Sequence, residues 1–385
     1  MRVAAVIGAN WGDEGKGLVV DALADTRTVV VRFNGGAQAG HTVQTPEGRR
    51  HVFHHFGSGT LRGAATFLSR FFVVNPVLYR EEWSVLSRPW PNVGVDPACQ
   101  VTTPWDMMIN QAVERKRGAA RHGSCGVGVN ETLARSLEFL GLTYMQLRDA
   151  RAAKELCRRV RDEYAPIRCR ELGLELSDLN PAFSRPSTLT RFLQDLDLLY
   201  DTTDPRSWWE VSKAAERVVY EGAQGLRLDR DSADFPYVTP SSTGLTNVVT
   251  LQAESVLPSA EVFYVSRSYA TRHGAGPLPH ELLPAPTVPD PTNVPNEHQG
   301  HLRIGRLDVV TTAQTIRRDF AAARQVSSLT LVMTCLDQRA SLPVSLGLET
   351  VVHRLRNELR PDGLWLSFGP TRATLAPEPV TALWS

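Results

Sequence analysis

The sequence predicts an α/β fold, a mostly parallel sheet with helices packed around it. Three observations carry this. Short apolar runs that read as strands alternate with helix-like periodic stretches along the 385 residues. The strand runs are nearly continuous in Val, Ile and Leu, as expected of strands buried on both faces. Glycine-rich or polar motifs follow the strands, so the ligand-facing chemistry falls on one carboxyl edge of the sheet. These motifs interleave along the whole chain, which predicts one domain over residues 1–385.

The first element is a strand, Val3 to Ile7. Gly8-Ala9-Asn10-Trp11-Gly12-Asp13-Glu14-Gly15-Lys16-Gly17 follows, and a helix pattern through Val19, Val20, Ala22 and Leu23 comes next. Strand, glycine loop and helix together present backbone N–H groups and a helix N-terminus to a phosphate. The loop is not a Walker A motif: Asn10 stands where that motif has Gly, and Gly17 where it has Ser or Thr. It carries a carboxylate, Asp13, instead. In isolation the stretch also reads as a tight turn with a solvated Asp–Lys pair.

Val29 to Phe33 predicts the second strand and runs into Asn34-Gly35-Gly36-Ala37-Gln38-Ala39-Gly40-His41-Thr42-Val43. Phe71 to Val74 predicts another, closed by Asn75-Pro76. His54 and His55 are neighbours that a strand would send to opposite faces, which favours structural roles over a metal pair. Trp105 to Arg117 predicts a helix, with Gly118 past its end, followed by the loop Gly123-Ser124-Cys125-Gly126-Val127-Gly128. Arg135 to about Tyr164 predicts a helical excursion with a solvated face. A further helical stretch is predicted at Phe192 to Leu199, and strands at Val218 to Tyr220 and Ala260 to Tyr264. Leu283 to Pro295 predicts an irregular surface loop. Val309 to Ala323 predicts a helix, Leu329 to Met333 an interior strand, and a last helix and strand lead to Ser367-Phe368-Gly369-Pro370.

Composition excludes several classes. Hydrophobic content is 42%, charged content 22% and net charge +1, so neither nucleic acid nor a membrane surface is the expected partner. No apolar run approaches the roughly 18 residues of a membrane span, and the N-terminus has no signal-peptide layout. The five cysteines, Cys99, Cys125, Cys157, Cys169 and Cys335, form no CxxC pair. A disulfide framework or zinc site is not expected, and a reducing cytoplasm is.

The pairing of WGDEGKG with NGGxxAGHT resembles the adenylosuccinate synthetase family. Further matches follow in order: Tyr220 to Gly225, Pro236 to Thr239, Ala270 to Pro277, Thr334-Cys335-Leu336-Asp337 and Ser367 to Pro370. The resemblance implies a single adenylosuccinate synthetase-like domain related to P-loop NTPases. It also implies a ligase that joins L-aspartate to the 6-position of a purine nucleotide, driven by a nucleoside triphosphate, through a 6-phosphoryl intermediate. It assigns Asp13 as the base and His41 as the donor to the transferring phosphoryl group. Mg2+ falls to Asp13 and the Gly40 carbonyl. Gly12, Glu14, Gly15, Lys16, Gly17, Gly40 and Thr42 fall to the phosphates. Asn34, Gln38, Ser124, Cys125, Gln224 and Thr239 fall to the substrate nucleotide. Arg135 matches an arginine that crosses a homodimer interface to the partner's nucleotide.

The departures are specific. The loop Asn296-Glu297-His298-Gln299-Gly300-His301-Leu302-Arg303 is shorter than in cellular members, and His301 replaces an arginine. This resembles the phage branch, which makes N6-succino-2-amino-2'-deoxyadenylate from dGMP; IMP is the alternative. In that case the location is a host cytoplasm. Arg303 is left as the holder of the aspartate carboxylate. Asp337, with Cys335, Ser367 and Gly369 around the base, implies GTP rather than ATP as donor.

Overall fold

The computed structural model describes residues 1–86, 90–138, 140–286, 288, 300–342 and 348–378. Its strands are β1 (Arg2–Gly8), β2 (Thr28–Arg32), β3 (His41–Gln44), β4 (Arg50–Phe53), β5 (Ala65–Leu68), β6 (Val93–Val95), β7 (Asp204–Pro205), β8 (Arg217–Gly225), β9 (Ala260–Arg267), β10 (Ala270–Arg272), β11 (Arg303–Gly305), β12 (Val326–Thr334), β13 (Gly363–Ser367) and β14 (Leu375–Glu378). Ten of them form one sheet in the order β14-β13-β12-β9-β1-β8-β2-β5-β6-β7. Every pairing in it is parallel except β13 with β14. Two antiparallel hairpins, β3-β4 and β10-β11, stand outside the sheet.

The continuous apolar runs have a direct cause. In β1, Val3, Ala5 and Ile7 join one core while Ala4 and Val6 join another on the opposite face. The first face is covered by α8 (Trp208–Ala214), α9 (Thr246–Ala253), α10 (Val309–Ala322) and α11 (Leu348–Leu359). The second is covered by α1 (Lys16–Leu23) through Leu18, Val19 and Val20. A third core packs the β5-β6 end against α2 (Pro76–Val85), α3 (Pro104–Arg117), α5 (Ala150–Arg159), α6 (Ala165–Glu171) and α7 (Pro186–Asp201). α4 (Val129–Leu137) follows the second glycine loop.

Two local expectations change. Phe71 to Val74 makes only isolated bridges, Gly36 with Val73 and Val74 with Val101, because it leaves the sheet edge to deliver Asn75 as the cap of α2. There the Asn75 side chain accepts from the N–H groups of Val77 and Leu78. The stretch after Arg135 is not one helix: α4 ends at Leu137, and helix resumes as α5, a π turn over Val160–Tyr164, and α6. Most of the proline-rich loop and residues Asn296 to Gln299 lie outside the described residues. Among the described residues no helix is long and apolar enough to cross a membrane.

Candidate active site

The carboxyl ends of β1, β2, β8, β9, β12 and β13 share one edge, because these strands are parallel. The glycine loop after β1 is built around Glu14. Its Oε1 accepts from the backbone N–H of Asn10 at 2.9 Å and of Gly12 at 2.8 Å, and its Oε2 meets Lys16 Nζ at 2.9 Å. A Cβ on Gly8 would lie 2.5 Å from Glu14 Oε2, and one on Gly225 2.7 Å from Oε1. The Glu14 side chain, 2% exposed, is therefore a brace inside the loop and not a contact to a nucleotide phosphate.

The departures from Walker A follow from packing. A Cβ on Gly17 would sit 2.7 Å from the Thr42 carbonyl oxygen, so a hydroxyl-bearing residue has no room there. The Asn10 side chain donates to Ser266 Oγ at 3.1 Å and accepts from Thr312 Oγ1 at 3.0 Å, tying the loop to β9 and α10. On the far side, Thr334 Oγ1 donates to the Glu14 carbonyl at 2.7 Å. Gly15 has φ 93° and packs on the same threonine. The loop is thus joined to the end of β12, where Cys335 and Asp337 follow. Asp337 is exposed. Ser367 ends the adjacent β13 and Gly369 follows it, and the Ser367 hydroxyl donates to the Gly369 carbonyl at 2.8 Å.

A cleft of about 760 Å³ opens beside the loop. Gly12, Asp13, Lys16, Gln38, Gly40, His41, Ser124, Cys125, Gln224 and Thr239 all line it, so both residues assigned to catalysis converge with part of the predicted phosphate and substrate contacts. Asp13, Gln224 and Cys335 hold non-glycine backbones at φ 59°, 65° and 60°. Such strain concentrates where geometry serves function. The Asp13 side chain is 28% exposed and faces His273 Nε2 at 3.5 Å. Arg267 Nε donates to its carbonyl at 2.5 Å. Gln38 has both amide atoms buried without a protein partner, which leaves a donor and an acceptor for a ligand in the cleft.

His41 is 5% exposed. Its Nδ1 lies 2.5 Å from Glu221 Oε1, and its Nε2 is buried with no protein partner. Burial holds the imidazole below its ordinary range, with Glu221 pulling the other way. For Glu221, burial works upward, but His41, Arg32 and Ser58 outweigh it and keep the carboxyl low. Glu221 sits inside the Tyr220 to Gly225 motif, yet its part was not foreseen; a buried acid at the end of an apolar strand was the available signal. His54 and His55 are structural: His54 Nδ1 donates to the Ala37 carbonyl, and the N–H groups of both residues donate to Glu82.

Three predicted ligand contacts are spent elsewhere. Asn34 is fully buried and exchanges two hydrogen bonds with the backbone of Ala223, at 2.8 and 3.0 Å, so it pins β2 to β8 and cannot read a base. Arg303 places its fork on Glu281, Nε to Oε1 at 2.8 Å and the second arm to Oε2 at 2.5 Å, and donates to the Gly274 and Gly276 carbonyls. An aspartate carboxylate would have to displace Glu281. Arg135 is 0% exposed and pairs with Asp106 while donating to the Val101 and Leu140 carbonyls. It cannot reach a partner subunit, because every donor arm is used inside its own fold.

A model of the adenylosuccinate synthetase family matches residues 5–343. The chain belongs to that family. Adenylosuccinate synthetases of Xanthomonas campestris pv. campestris and Xanthomonas oryzae pv. oryzae are 31% identical over 287 residues. That match covers 72% of this chain and 64% of theirs, so the chain spans less than two thirds of these relatives. Among solved structures, fully ligated adenylosuccinate synthetase from Plasmodium falciparum superposes with a TM-score of 0.74 at 19% identity, covering 98% of this chain and 100% of that one. The succinoaminodeoxyadenylate synthetase of cyanophage S-2L, bound to dGMP and to dATP as an energy donor, gives 0.62 at 16% identity, covering 98% and 96%. These two likenesses establish the fold.

Asp106 also accepts from the Thr103 N–H and so caps α3. Asp106→Ala should lower unfolding free energy by about 3–5 kcal/mol in urea titrations, because it strands a buried guanidinium. Arg135→Met added to it should recover much of that loss. An Arg135→Met variant of unchanged stability but weakened nucleotide binding would return Arg135 to the interface.

Proposed function

We propose that this protein joins L-aspartate to C6 of a 6-oxopurine nucleoside monophosphate at the expense of a nucleoside triphosphate, with dGMP as acceptor and GTP as donor. The observation that carries the reading is the convergence of Asp13, Lys16 and His41 on one cleft with Gln38, Gln224 and Thr239. A 6-oxo group is a poor leaving group. In this reading Asp13 removes the N1 proton, and the 6-oxygen takes the γ-phosphoryl group. The aspartate amine then displaces phosphate. His41 takes a proton on its free Nε2 as the anionic triphosphate binds and donates from there to the transferring group, and Lys16 supplies fixed positive charge beside it. The donor set fits Mg2+, which takes few protein ligands and keeps nucleotide oxygens: Asp13, with one carboxylate, and the exposed residue Gly40 line the same cleft. Bound there, the ion would neutralise phosphate charge.

The product with dGMP is N6-succino-2-amino-2'-deoxyadenylate, a precursor of diaminopurine for DNA. One feature supports a deoxy acceptor: His301 stands where an arginine would approach the ribose. IMP is the second reading, favoured by the curated relatives, which are adenylosuccinate synthetases. For the donor, Asp337 offers a carboxylate to guanine's N1–H and 2-amino group, and repels adenine's N1 lone pair. The proposed unit is a cytoplasmic homodimer, each chain one catalytic domain over residues 1–385, without Arg135 crossing between subunits.

Phosphate release with aspartate should give a higher kcat/KM with dGMP than with IMP; the reverse order would make this a purine-synthesis enzyme acting on IMP. Asp13→Ala and His41→Ala should each lower turnover by more than about a hundredfold while the protein stays folded, the scale of general acid–base terms. GTP should outcompete ATP about tenfold or more, since one charge-assisted hydrogen bond contributes roughly 1.5–3 kcal/mol. Asp337→Asn should erode that preference and leave dGMP binding intact; equal use of ATP by the unmodified protein would exclude GTP selectivity.

A further inference from the structure

His41 opens β3 and Glu221 lies in β8, 180 residues apart in sequence, yet their side chains meet at 2.5 Å. Glu221 is held from three further directions. The Ser58 N–H donates to Oε2 at 3.0 Å, the Ser58 hydroxyl donates to Oε1, and Arg32 stands opposite Glu221 in the β2-β8 register. Arg32 is itself fully buried, donating to the His54 and Phe56 carbonyls, so it balances the buried carboxylate. A carboxylate has only lone pairs to offer. The proton of the neutral ring therefore sits on Nδ1, and Nε2 carries the free lone pair. Nε2 is buried without a protein partner on a residue that lines the cleft. An unmet buried polar atom is costly, and Nε2 belongs to a residue of the cleft wall, so a group that enters the cleft can meet it.

We propose that Glu221, anchored by Ser58, is the positioning residue that fixes the ring and tautomer of His41 so that Nε2 points into the cleft. This rests on the ligase reading only for its kinetic consequence; the orientation itself is a property of the ligand-free protein.

The decisive measurement is nitrogen-15 NMR of histidine-labelled protein at one neutral pH, without nucleotide or metal, with the His41 signal assigned by its loss in His41→Ala. The Nδ1–H tautomer is expected in the unmodified protein. In Glu221→Gln, which keeps the volume, the tautomer should become mixed. Turnover in that variant should fall by at least about tenfold with all three substrate KM values within about threefold, the pattern of a lost orienting group. Ser58→Ala should give a smaller fall of the same kind. An Nε2–H tautomer in the unmodified protein overturns the proposal, and so does a Glu221→Gln variant with unchanged tautomer and turnover. If Glu221→Gln does not fold, the unmodified spectrum and Ser58→Ala decide. If the unmodified protein releases no aspartate-dependent phosphate with any 6-oxopurine nucleotide, the ligase reading falls, while the spectra still decide the part of Glu221.

Discussion

A single buried carboxylate holds the glycine loop after β1 in shape. Glu14 gathers two backbone N–H groups and the Lys16 ammonium at 2.8–2.9 Å, in a space that exists only because Gly8 and Gly225 have no side chains. Without it, two loop N–H groups and a lysine that is 4% exposed would be unpaired. Lys16 would also lose the partner that fixes its head beside the cleft. Since β1 and β8 are hydrogen-bonded neighbours, this knot also sets how closely the Gln224 turn approaches the loop.

From that knot the site extends in two directions. Toward the cleft lie Asp13, His41 and Gln38. Away from it, the Thr334 hydroxyl binds the Glu14 carbonyl and carries the loop to the end of β12. A displacement of the loop therefore cannot be private to one side: the residues proposed for acceptor and donor share one rigid backbone segment. The left-handed conformations of Asp13 and Cys335 at the two ends of this connection are held by tertiary contacts, Arg267 on the Asp13 carbonyl among them.

The arginines show where reading residues in order reaches its limit. Arg135 and Arg303 each sit in a motif that suggests an anion outside the fold, and each is neutralised by an internal acid, Asp106 and Glu281. Asp106 and Glu281 lie 29 and 22 residues away in sequence, so no local pattern links the members of either pair. A charge reads the same in sequence whether its partner is a substrate or a neighbouring helix.

The sequence by itself determined the α/β plan, the strand and helix positions along most of the chain, and the grouping of motifs on one edge. Those follow from short-range causes: strands buried on both faces must be continuously apolar, and parallel strands must all end on the same side. The adenylosuccinate synthetase family was legible too, since its motifs are contiguous residues. Tertiary structure alone decided which polar side chains remain free. Asn34 closes onto Ala223, Glu14 turns inward, and His41 is matched by Glu221. A hydrogen bond depends on where two side chains end up in space, and strand order, not sequence distance, sets that.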